Sequence, residues 1–140
     1  MELKVTLLNF QQLKVLVRQF NKEDLPILKA MHDKRGLKLD PYLPRLGGIA
    51  FVGEEPIAIA FLRGVEGGGI SIWDGLITDP DFDAEYRDRA LNALIIFLIR
   101  TSKSYGMTRI ISWAQDTNTI ERAQKLGFKT INATLMAGDF

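Results

Sequence analysis

The chain has 140 residues, 46% apolar and 25% charged, enough for one compact domain with its own core. Eighteen basic against seventeen acidic residues leave a net charge of +1, which excludes the basic footprint of nucleic-acid or anionic-membrane binding. With no cysteine, disulfides, thiolate metal sites and cysteine nucleophiles are excluded too.

Leu3, Val5 and Leu7 alternate with polar neighbours, so residues 1–12 read as an N-terminal extension or an extra strand. Residues 13–20 read as a strand, with Val15 and Val17 on one face. Asn21 is a suitable N-cap for a helix over 22–32. Asp24 and Pro26 suit its first turns, and Gly36 ends it. Residues 37–47 hold Pro41 and Pro44 and read as a loop anchored by Tyr42, Leu43 and Leu46. Residues 48–52 and 57–63 form a hairpin over Gly53-Glu54-Glu55-Pro56.

After a looser turn at 66–69, residues 70–78 form a strand. Plain alternation puts Ile70, Ile72, Asp74, Leu76 and Thr78 on one face, and Ser71, Trp73, Gly75 and Ile77 on the other. Residues 84–105 carry the strongest helical period, with Leu91, Leu94, Ile95 and Leu98 at three- and four-residue spacing. Gly106 caps that helix. A strand at 109–114, a short helix at 119–125 capped by Gly127, and one or two closing strands over 128–137 complete the chain. The expected architecture is α+β: one mixed, mostly antiparallel sheet flanked by helices, with a single βαβ crossover and residues 1–140 in one domain. The longest apolar run, 93–99, is far short of the roughly 20 residues that span a bilayer, and the N-terminus lacks a signal-peptide profile. The expected setting is the cytoplasm.

Three local patterns narrow the reading. Thr78-Asp79-Pro80 closes a strand, Arg87 leads a long helix that ends at Gly106, and Asp116-Thr117-Asn118 is followed by Ala123 and Lys125-Leu126-Gly127-Phe128. With these patterns, the element order from Val15 onward resembles the GNAT superfamily of acetyl-coenzyme A-dependent N-acyltransferases. In detail it is similar to the small divergent GNAT-like proteins of bacteriophages. The resemblance implies acetyl-coenzyme A (acetyl-CoA) as co-substrate, in a cleft between the strands ending near Thr78 and Ala114. It implies backbone contacts from Ile77 and Thr78 to the pantetheine arm and the thioester carbonyl. Arg87, Asp88, Arg89 and Ala90 would line the pyrophosphate, and Asn118 would meet the pantetheine. Two features depart from the family pattern. Ala90 and Asn92 stand where glycines usually free the backbone N–H groups, and Ala123 stands where many members carry a tyrosine acid.

Each candidate has a plainer role beside the functional one. Asp74 is a general base for the acceptor amine, or a carboxylate paired with an arginine. Arg87 and Arg89 contact phosphate, or belong to a solvated helical face. Asn118 contacts the cofactor, caps the following helix, or does both. Lacking a tyrosine at 123, an enzyme would protonate its leaving thiolate from water or from a hydroxyl such as that of Tyr86. No His or carboxylate cluster has metal-ligand spacing, so no metal is expected. Two function classes follow: an N-acetyltransferase acting on a small-molecule or protein amine, or a catalytically degenerate GNAT-like binding or structural module, as in a phage accessory or virion protein. Neither nucleic acid nor membrane is an expected partner; a homodimer is compatible with both.

Overall fold

The computed structural model describes residues 13–44, 46–65 and 69–139. The elements are β1 (Val15–Gln19), a 3-10 turn (Lys22–Asp24), α1 (Leu25–Lys34), β2 (Leu46–Val52), β3 (Glu55–Val65), β4 (Ile70–Thr78), α2 (Ala84–Ser104), β5 (Arg109–Ser112) and α3 (Thr117–Lys125). The five strands form one sheet in chain order. The first three pairings are antiparallel, and β4 pairs with β5 in parallel across the α2 crossover. This is the mixed sheet that the periodicity predicts. The expected strand or extension over 1–12 lies outside the described residues.

The helices cover opposite faces. Leu28 and Met31 of α1 pack with Phe20, Ile49, Ile59, Phe61 and Ile77. Tyr86, Ala90, Leu94, Ile95 and Leu98 of α2 pack with Ala50, Ala58, Ala60, Leu62 and Trp73. Gly48 permits the closeness of α2, since a Cβ there would lie 2.8 Å from the Phe97 ring. All three α-helices end in the same way. The residue after the C-cap is a positive-φ glycine, at Gly36, Gly106 and Gly127. The next N–H returns to the third-last carbonyl: Leu37 to His32, Met107 to Ser102 and Phe128 to Ala123.

Three expectations need correction. Residues 129–139 form no strand and are exposed, because alternation alone gives no strand without a partner edge. The strand expected over 109–114 ends at Ser112, which leaves Trp113 exposed just past it. The N-cap of α3 is Asp116, whose carboxylate accepts from the Thr119 N–H at 2.9 Å; Asn118 is already inside the helix.

The faces of β4 also differ from plain alternation. Ala60 pairs with Leu76 but Leu62 pairs with Trp73, so Asp74 and Gly75 together face the single residue Phe61. This is a β-bulge, and Gly75 supplies its positive φ of 91°. As a result Trp73 and Leu76, three apart, both pack toward α2, while Ile77 packs toward α1.

Candidate functional site

The register of β4 decides which backbone groups are available. β4 pairs with β5 only from Ile70 to Trp73, the last pair being Trp73 with Ser112. β5 ends at that pair, and β4 continues to Thr78 beside β3 alone, so the chain after Ser112 parts from β4. The Asp79 N–H donates to the Ile57 carbonyl at 2.7 Å. Antiparallel ladders alternate, so Ile77 also turns its backbone toward β3. Leu76 and Thr78 turn theirs to the opposite side, where β5 is no longer paired. Of the expected backbone pair, Thr78 thus faces the opening and Ile77 faces its neighbour strand. Leu76 shares the backbone direction of Thr78; of the two, Thr78 lines the cleft described next, and Leu76 lines a smaller pocket. Sequence alternation could not find this direction, because the bulge shifts the count by one.

The opening is a cleft of about 670 Å³ lined by Thr78, the first turns of α2 and the facing side of α3. Arg87, Asp88 and Asn118 line it, together with Asn92 and Arg122. Among the described residues, the buried Arg87 Nε has no hydrogen-bond partner. Arg89 and Ala90 are not among the lining residues. Arg89 stacks over the Tyr86 ring, 5.2 Å from its centre, and donates to the Leu13 carbonyl at 3.2 Å. Ala90 is fully buried against the sheet. Tyr86 is buried as well and does not line the cleft; its hydroxyl accepts from the Leu13 N–H at 3.2 Å.

The end of α1 holds the end of β4. Lys34 donates to Asp79 and Asp81, each at 2.9 Å, and Asp79 is only 3% exposed. Burial works against the Lys34 ammonium, but the two carboxylates outweigh it and hold its pKa above the ordinary lysine range. Arg35 donates through Nε to the Thr78 carbonyl at 2.8 Å and through Nη2 to the Thr78 hydroxyl at 2.5 Å. The Thr78-Asp79-Pro80 pattern is therefore a docking point for α1.

On the other side of the bulge lies a smaller pocket of about 150 Å³. Its walls include Leu28 and His32 of α1, Phe61, Arg63 and Asp74 of the sheet, and Leu37, Asp40, Leu43 and Pro44 of the loop that precedes β2. The Asp74 carboxylate is half-exposed and accepts from the Arg63 Nε. Arg63 also donates to the Tyr42 carbonyl at 2.6 Å, which fixes the loop. The His32 Nδ1 lies 2.8 Å from the Leu28 carbonyl, an intrahelical contact. Asp74 and the cleft residues thus sit on either side of one strand. Among the described residues, no three His, Asp or Glu side chains gather as a metal site, and no helix is long and apolar enough to cross a membrane.

The fold is shared with solved structures. A GNAT family acetyltransferase from Streptococcus pneumoniae TIGR4 superposes with a TM-score of 0.70 at 11% identity, over 91% of this chain and 98% of that one. The aminoglycoside N-acetyltransferase AAC(6')-Iy in complex with CoA gives 0.65 at 21% identity, over 89% and 99%. An acetyltransferase from Trypanosoma brucei gives 0.63 at 16% identity, over 89% and 99%. The chain has the GNAT fold. At these identities the likeness is one of fold. No protein-family model matches the sequence, and no curated protein matches it. The end of β4, the first turns of α2 and the facing side of α3 line the cleft, while α1 and the loop before β2 wall the smaller pocket.

Proposed function

We propose that the protein is an N-acetyltransferase that moves acetyl from acetyl-CoA to an amine by direct attack. One observation carries this reading: β4 and β5 part beyond Trp73 and Ser112, and the outward backbone of Leu76 and Thr78 lies on the open side. The fold of AAC(6')-Iy, solved with CoA, supports it. The residues present fit the cofactor. Arg87 brings a buried donor that lacks a partner among the described residues, and the cleft has the volume of a small-molecule site.

Bound acetyl-CoA supplies an acyl group on a thioester. The chain binds and orients it. Leu76 and Thr78 present backbone groups of the kind that bond a pantetheine amide, and their N–H groups suit a developing oxyanion. Arg87 and Asn118 flank the anionic and pantetheine portions. Asp74, oriented by Arg63, accepts the amine proton from the smaller pocket, directly or through water. The thiolate is protonated by water, since Ala123 carries no acid and Tyr86 is turned away. The acceptor, a small-molecule or protein amine, enters beside the loop before β2. The proposed setting is cytoplasmic, and a homodimer is the assembly to test by light scattering.

A second reading is a GNAT-fold binding module, as in a phage accessory or virion protein. It is favoured by Arg35, which engages both oxygens of Thr78, and by the fully buried Ala90 where the family pattern has glycine. Titration calorimetry with acetyl-CoA separates the two. Micromolar binding with amine-dependent release of free thiol supports the enzyme. No binding at millimolar ligand removes it and leaves the module.

A further inference from the structure

One side chain bridges the two helices that wall the cleft. The Arg122 Nη1, on α3, lies 2.5 Å from the Asp88 carboxylate, 3.1 Å from the Asp88 carbonyl and 3.2 Å from the Asn92 Oδ1. Asp88 and Asn92 belong to α2, and all three residues line the cleft. The two charges of the pair are unequally placed. Arg122 is 17% exposed, whereas Asp88 is 58% exposed. An ion pair with one partner largely in water binds weakly and is screened by salt. A mostly enclosed guanidinium gains more from a phosphate, whose oxygens match its fork of donors. Arg87, with its unpartnered buried Nε, lines the same space.

We propose that the Asp88–Arg122 pair is an exchangeable latch. Arg122 leaves Asp88 for a phosphate oxygen of the nucleotide end of coenzyme A. A side chain from α3 thereby replaces the close backbone contacts that glycines would give at Ala90 and Asn92. Asp88 is then the competitor of the phosphate and not its ligand. This inference rests on reading the cleft as a coenzyme A site.

The test is calorimetry of the whole protein with coenzyme A and with pantetheine, which has no phosphate. Asp88→Asn keeps the shape but removes the competing charge, and is expected to tighten coenzyme A binding about threefold to tenfold. Arg122→Gln is expected to weaken it by about tenfold. Pantetheine binding should change in neither variant. Raising salt from low to moderate should reduce the gain from Asp88→Asn. If Asp88→Asn weakens coenzyme A and pantetheine alike, with a lower Tm, the pair only holds the helices together and the latch is overturned. If the wild type binds coenzyme A and neither substitution alters it, the latch is overturned while the cofactor site stands. If none of the three proteins binds coenzyme A, both inferences are overturned.

Discussion

The Phe128 ring lies 6.5 Å from that of Trp73, with the planes tilted by 59°. Phe128 donates its N–H to the Schellman cap of α3, and Trp73 is the last residue of β4 to pair with β5. The contact therefore fastens α3 at the point where the strands part. Phe128→Ala is expected to lower stability by about 1–3 kcal/mol, below the range for truncating a fully buried aromatic because Phe128 is only partly buried. Coenzyme A affinity should fall with it, since α3 forms one wall of the cleft. Thermal denaturation and calorimetry on the same variant check both effects.

Gly75 holds the bulge at a φ of 91°, where a Cβ has room but the backbone is strained. Gly75→Ala is expected to cost about 1–2 kcal/mol. Its effect on acetyl transfer should exceed its effect on folding, because relaxing the bulge redirects Leu76 and Thr78. A variant with normal turnover and reduced stability would show that the orientation survives without glycine.

Asp74→Asn removes the proton acceptor but keeps the side-chain volume. Turnover should drop by about a hundredfold or more, the usual worth of a general base, with coenzyme A affinity unchanged. The comparison of kcat with the calorimetric Kd checks this. Wild-type turnover across the pH range would remove Asp74 from the reaction.

Asp24 links the 3-10 turn to β1. It accepts from both Arg18 terminal nitrogens at 2.7 Å and from the Asn21 N–H at 2.8 Å, and it is buried. Above all the Arg18 hydrogen bonds, opposed by burial and helped by the Asn21 N–H, hold its pKa below the ordinary carboxylate value of 3.8. A lowered folded-state pKa stabilises the fold above the unfolded value, and that contribution is lost as pH falls through the folded one. Stability of the wild type should therefore decline below about pH 4, and Asp24→Asn should flatten that decline while costing about 1–2 kcal/mol at pH 7. Denaturant melts at several pH values give the measurement.

The long helix, its glycine cap and the bounds of β4 were legible because each depends on local signals: three- and four-residue spacing, a positive-φ glycine, a run of β-formers. Asn21 likewise read as a cap residue, and it caps the 3-10 turn. What stayed hidden depends on partners distant in sequence. Asp74 meets Arg63 only because β3 folds back beside β4, and Arg122 meets Asp88 only across the crossover. The bulge was invisible because an inserted residue looks like ordinary alternation until the neighbouring strand is aligned. Residues 129–139 show the reverse case, a strand-like pattern with no strand.

The bulge also separates the bend of β4 from its facing. Gly75 is surplus to the ladder: without it Asp74 alone would face Phe61, and Leu76, Ile77 and Thr78 would keep Ala60, Ile59 and Ala58 as partners. What the extra residue supplies is a local kink and added twist, set just past the last pair with β5. The end of β4 is thus aimed by a residue that contributes no side chain of its own.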